Sequence, residues 1–165
     1  MKSLLLIRHA KSSWENFSVP DFDRPLNDRG KKDAPMMAAR LKEKNIVPDT
    51  ALVSTAKRAR KTAGYFTGVW NLKDSSVHFM DDLYLASSAV FFRIISQLPD
   101  EVNSVAVFSH NNGLTEFANE LTDVAIDNIP TCGIFAIHIQ SDKWRNFAEA
   151  GKDFWFFDAP KAGQL

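Results

Sequence analysis

Short unbroken apolar runs alternate along this chain with longer stretches in which apolar residues recur every three to four positions. Leu4-Leu5-Leu6-Ile7 stops abruptly at Arg8-His9, the pattern of a strand buried on both faces, as in a parallel sheet. Thr50 to Thr55 and Ser104 to His110 read the same way. Between them, residues 28–44 set Ala34, Met37, Ala38 and Leu41 at helical spacing, with Asn27 placed to cap the helix and Pro35 predicting an irregular first turn or a kink. Residues 56–69 predict a basic helix with Ala59, Ala63, Phe66 and Val69 turned inward. Val77 to Met80 reads as a short strand, Ser87 as the cap of a helix through Leu98, and Asn112 as the opening of a helix that reaches about Leu121. Gly133 to Gln140 alternates as a further strand, and the aromatic-rich residues 144–157 fit a hairpin partner followed by a tail packed on the core. Residues 11–26, with Pro20 and Pro25 and no periodicity, read as a loop over the sheet edge.

Strands alternating with helices predict an α/β fold, a three-layer α/β/α arrangement around a mostly parallel central sheet. At 165 residues the chain fits a single domain over 1–165. Lysine plus arginine equals aspartate plus glutamate at 20 each, so no global field draws the chain to nucleic acid or to a membrane, and any basic site is local. Cys132 is the only cysteine, which excludes an internal disulfide and thiolate metal clusters and suits a small buried hydrophobe. The apolar run before Arg8 is too short for a signal peptide and no stretch is long enough to span a membrane, so a cytoplasmic location is expected.

In a parallel sheet the carboxyl ends of the strands share one edge, where the ligand crevice opens. The three strong runs end in Arg8-His9, Ser54-Thr55-Ala56-Lys57-Arg58 and Ser109-His110-Asn111-Asn112-Gly113. Two arginines and two histidines from distant sequence therefore converge in this reading. Taken alone, Arg58 fits either a solvated helix face or an anion site at a helix start, and His110 either a satisfied core histidine or a ligand-facing one. Lys57, Arg60 and Lys61 fit the solvated face better, and His78 and His138 lack a strand-end setting.

With Leu5-Leu6-Ile7-Arg8-His9-Ala10-Lys11-Ser12, Pro25-Leu26-Asn27-Asp28-Arg29-Gly30, Ser54 to Ala63 and Ser109 to Gly113 in order, the chain resembles the histidine phosphatase (phosphoglycerate-mutase-like) superfamily and, within it, the SixA-type phosphohistidine phosphatases. The resemblance implies a phosphoglycerate-mutase-like fold and a metal-independent, cofactor-free phosphatase. It implies that His9 is the nucleophile, that Arg8, Arg58 and His110 bind the phosphoryl oxygens, and that Asp82, with Asp81 as its rival, occupies the stretch from which many members draw a proton donor. A solvated turn is the other reading of these carboxylates. The implied partner is a phosphorylated protein or a small phosphate ester. Two departures stand out: the usual glycine after the catalytic histidine is Ala10, and the asparagine that mutase-like members carry six residues beyond it is Glu15, with Asn16 beside it. The second argues against mutase activity, because a carboxylate is a poor phosphate ligand.

Overall fold

Among residues 1–162, which the computed structural model describes, six strands form one sheet in the order β3-β2-β4-β1-β5-β6. The strands are β1 (Lys2–Arg8), β2 (Thr50–Ser54), β3 (Val77–Met80), β4 (Ser104–Ser109), β5 (Ile134–Ile139) and β6 (Lys152–Asp158). The helices are α1 (Asp28–Glu43), α2 (Lys57–Trp70), α3 (Ser88–Ser96) and α4 (Gly113–Leu121). Strands β3, β2, β4 and β1 run parallel, while β5 lies antiparallel to β1 and β6 antiparallel to β5. The sheet is thus mixed and mostly parallel, and the aromatic-rich segment supplies the hairpin partner of β5.

The unbroken apolar runs are explained by cores on both faces of the sheet. Leu4 and Leu6 pack with Val105, Val107, Phe91 and Phe117 on the α3/α4 side. Leu5 and Ile7 pack with Ala106, Phe108, Met37 and Phe66 on the α1/α2 side. A strand so covered has no polar face to alternate with. Among the described residues no helix is long and apolar enough to cross a membrane.

Local departures from expectation have local causes. Helix α1 runs continuously through Pro35, and its first turn, capped by the Asn27 side chain on the N–H of Gly30, is regular. The carbonyl that Pro35 deprives of a partner belongs to Lys31, an exposed residue on the water side. Ser87 precedes α3 without making a side-chain cap bond, and α3 ends at Ser96 rather than Leu98.

Register brings the chemistry to one edge: Arg8 lies beside Ser109, and Val53 beside Phe108. Two glycines allow the neighbouring segments to close on that edge. A Cβ on Gly30 would collide with the Lys11 carbonyl oxygen, and one on Gly113 with that of Ala86. The start of α1 thereby sits on the segment after His9, and the start of α4 on the segment after Tyr84.

Glycine-to-alanine substitution therefore changes sign with position. A methyl added to Gly68 on α2 would meet nothing within 4 Å, so Gly68→Ala is expected to raise stability by about 0.5–1 kcal/mol through helix propensity. Gly113→Ala is expected to lower it by about 1–3 kcal/mol, because the methyl meets backbone. Urea unfolding midpoints at constant slope check both, and a stabilised Gly113→Ala would refute the close-approach reading.

Candidate active site

His9 follows directly on β1 and is 6% exposed. Its Nδ1 lies 2.8 Å from the Ala10 carbonyl oxygen, a pure acceptor, so Nδ1 carries the proton and Nε2 keeps its lone pair. Arg58 Nε–H donates to that Nε2 at 3.3 Å. Arg58, in the first turn of α2 and 3% exposed, also donates to the Asp21 carbonyl at 2.7 Å and to Asp21 Oδ2 at 3.0 Å. Thr62 ties the two elements together, accepting from the Ala10 N–H at 2.9 Å and donating to the Arg58 carbonyl at 2.8 Å.

His110, at the end of β4, stacks obliquely on His9 with ring centroids 5.2 Å apart. Its Nε2 pairs with Ser54 Oγ at 2.7 Å, and Ser54 Oγ already accepts from the Ala56 N–H. The serine hydroxyl, with one proton and a second lone pair, can serve either tautomer of the neutral His110 ring. His110 Nδ1 and Arg8 Nε are buried without a partner, while another Arg8 nitrogen donates to the Ile129 carbonyl at 2.9 Å. Unpaired buried polar atoms are uncommon and costly, and the third among the described residues, Trp70 Nε1, belongs to the core on the α1/α2 side. The other two belong to residues that line one cleft.

That cleft, of about 260 Å³, is lined by Arg8, His9, Lys11, Arg24, Arg58 and His110, with Asp21 as its one carboxylate among the described residues. The arrangement suits an oxyanion beside an unprotonated imidazole nitrogen. Burial is the main cause that pushes the His9 pKa down to about 3; the bond to Ala10 opposes this and the Arg58, Arg8 and Arg24 charges add to it. Burial, then His9 and Arg58, push His110 down to about 3 as well. Burial and the Arg58 charge lower Arg8. For Asp21, burial pushes upward, but the Tyr84 hydroxyl, Arg58 and Arg24 outweigh it and bring the carboxyl to about 2. Burial and the bond to Asp21 raise Tyr84.

Of the residues expected from sequence, Arg8, His9, Arg58 and His110 meet in the cleft. Asp82 does not join them: it is exposed and paired with Arg93 at 3.1 Å. Asp81 accepts from Thr55 Oγ1 at 2.6 Å and also lies outside the cleft lining. Glu15 and Asn16 are exposed, and Asn16 serves only its own turn with Ser18. Ala10 does not adopt a left-handed backbone, so an alanine replaces the usual glycine there without strain. Cys132 is buried and its thiol pushed up by burial, as a packing residue requires.

Sequence reasoning missed Asp21, Arg24 and Tyr84. Asp21 accepts from Arg58, from Arg24 at 3.1 Å and from the Tyr84 hydroxyl. Arg24 also donates to Ser12 Oγ at 2.6 Å and lies over the Trp14 ring at 3.5 Å. The one available signal was position: the loop 11–26 leaves the sheet at the site edge and must return past it.

Comparison with known proteins places this geometry. The family profile of the histidine phosphatase superfamily (branch 1) matches residues 4–84. An uncharacterised chloroplastic protein of Arabidopsis thaliana is 30% identical over 164 residues, covering 93% of this chain and 74% of its own. The solved structure of SixA from Agrobacterium tumefaciens, assigned as a phosphohistidine phosphatase, superposes with a TM-score of 0.83 at 27% identity over 96% of this chain and 98% of that one. The protein histidine phosphatase SixA in complex with tungstate shares the fold with a TM-score of 0.83 at 21% identity, covering 97% and 98%.

The two depressed histidines make stability pH-dependent. Below about 6.5 the unfolded imidazoles bind protons, while the folded ones do so only near 3. Their contribution is therefore full above 6.5 and declines as pH falls toward 3, on the order of 1 kcal/mol per pH unit for each histidine. Asp21, shifted from 3.8 to about 2, changes stability only toward the acid end of that window. Urea midpoints are expected to fall from pH 7 to pH 5, and His110→Asn to flatten the slope. A wild-type midpoint independent of pH over that interval would refute the neutral, buried pair. Nitrogen NMR of the imidazoles should also show His9 as the Nδ1–H tautomer at pH 5.

Proposed function

The chain belongs to the histidine phosphatase superfamily, branch 1, and from that membership we propose that it is a phosphatase hydrolysing protein phosphohistidine through a covalent intermediate on His9. The observation that carries the reading is the meeting of Arg8, His9, Arg58 and His110 in one cleft, with His9 Nε2 unprotonated.

A phosphoryl group entering the cleft draws Arg58 from His9 Nε2 toward its own oxygens. Nε2 then attacks phosphorus as the bond from phosphorus to the substrate's imidazole nitrogen breaks, and the substrate ring, already protonated from solvent at its other nitrogen, departs as a neutral imidazole. Arg8, Arg58 and His110 hold the equatorial oxygens, and the two guanidiniums offset the charge in transit. Water then attacks the phosphorus, the bond to His9 Nε2 breaks, and inorganic phosphate leaves with the nucleophile restored.

Two features favour phosphohistidine over a phosphate ester. The single carboxylate of the cleft, Asp21, is held ionised with a pKa of about 2, so it has no proton to give an alkoxide. Phosphoimidazole needs no such donor, since its own ring is protonated before it leaves. The cleft is also small, with exposed Trp14 and Leu85 at its mouth, which suits a side chain presented by another protein. The proposal extends to a single histidine phosphatase domain over residues 1–165, acting in the cytoplasm.

The test compares a chemically histidine-phosphorylated protein, p-nitrophenyl phosphate and a phosphosugar as substrates. His9→Ala is expected to lower turnover by on the order of a thousand-fold or more, and Arg58→Ala by about 100- to 1,000-fold. Asp82→Asn is expected to leave phosphohistidine turnover unchanged, and EDTA likewise. Rapid quenching of wild type should trap an acid-labile, alkali-stable phosphate on His9. Undiminished phosphate release by His9→Ala would remove the nucleophile assignment, and a clear preference for the phosphosugar would remove the protein substrate.

A further inference from the structure

A second concavity, larger than the catalytic cleft, lies beside it. This groove of about 670 Å³ is walled by Lys57, Arg60, Lys61 and Tyr65 of α2, by Lys31 of α1 and by Phe79 of the edge strand β3. No carboxylate among the described residues lines it. Among the described residues none of its four cations forms a salt bridge, and Arg60 alone makes a hydrogen bond, to the Thr55 carbonyl. In a chain with a net charge of zero, four unneutralised cations around one groove form a local concentration that overall composition does not require. Phe79 is 55% and Tyr65 37% exposed, so the basic walls enclose uncovered apolar surface.

The groove and the cleft are built on shared elements. In the first turns of α2, Arg58 points into the cleft while Lys57 and Lys61 line the groove. On the other side, Ser12 lines the cleft and bridges to Leu26, which lines the groove. The stripe from Lys57 to Tyr65 spans about 12 Å of helix, the reach of about four extended residues.

We propose that this groove docks an acidic segment of the phosphoprotein substrate, adjacent in space to the phosphohistidine seated over His9. The proposal rests on the phosphohistidine reading above. Charge complementarity selects the occupant: unpaired lysines from both helices call for carboxylates, and the exposed rings of Tyr65 and Phe79 for the apolar parts of a polypeptide. A nucleic acid would also meet the charge, but four cations in a neutral chain with a pI near 6.9 are a small footprint for a polyanion.

The experiment uses two synthetic peptides, each with one phosphohistidine, a flexible spacer and a run of either glutamates or glutamines, with p-nitrophenyl phosphate as a small control. Wild type is expected to prefer the glutamate peptide by about ten-fold in kcat/KM, through KM, with the preference fading at high salt. The charge reversal Lys31→Glu with Lys61→Glu should abolish that preference while leaving the glutamine peptide and p-nitrophenyl phosphate unaffected. Lys31→Arg with Lys61→Arg should retain it. Equal turnover of the two peptides by wild type would overturn the docking groove and leave the phosphohistidine reading standing. Hydrolysis of p-nitrophenyl phosphate with neither peptide turned over would overturn both. A preference that survives charge reversal, or inhibition by single-stranded RNA as strong as by a non-phosphorylated glutamate peptide, would likewise overturn the groove's assignment.

Discussion

Everything at this site depends on one neutral imidazole surrounded by guanidinium groups. Burial and three nearby arginines make the imidazolium of His9 unfavourable, and the Ala10 carbonyl decides which nitrogen keeps the remaining proton. The two effects act on different questions. The first ensures that a lone pair exists at physiological pH, and the second aims it at Arg58. Were the ring free to turn, or solvated enough to protonate, the same cations would bind an anion without reacting with it.

The fold supplies this arrangement by bringing three strand ends to one edge and then fixing the segment beyond each. Thr62 joins the backbone after His9 to the backbone of Arg58, so nucleophile and guanidinium keep their spacing. Gly30 and Gly113 admit backbone where a side chain would collide. A guanidinium as buried as that of Arg58 needs a countercharge, and Asp21, whose side chain is 42% exposed, provides it. The countercharge therefore stands at the water boundary, where a phosphoryl group entering the cleft can take over its role without leaving Arg58 unpaired.

The same division separates the residues that were legible in the sequence from those that were not. Arg8, His9, Arg58 and His110 were legible because each sits just past an unbroken apolar run, and a parallel sheet puts such positions together whatever the loops do. Asp21, Arg24 and Tyr84 were not, because their contacts arise only when the loop 11–26 folds back across the edge, and no periodicity records that path. Asp82 illustrates the converse: its offset along the chain matched, but it lies in a tight turn from Asp81 to Leu83, where adjacent side chains diverge and its own pairs with Arg93. Strand β6 was ambiguous because both of its faces carry aromatic residues and its pairing shifts register at Ala136/Ile137, which breaks the alternation that marks a strand.

The lack of a protonated carboxylic acid in the cleft then becomes an expression of the same electrostatics rather than a gap in the machinery. An acid held neutral beside Arg8, Arg24 and Arg58 would have to resist three cations that favour its ionised form, and Asp21, with a pKa of about 2, shows which way that contest goes. Tyr84 already gives its hydroxyl proton to Asp21. A site built this way is poorly suited to leaving groups that must be handed a proton and well suited to one that brings a basic nitrogen of its own. The covalent species proposed on His9 is itself a phosphoimidazole, so its breakdown makes the same modest demand as its formation.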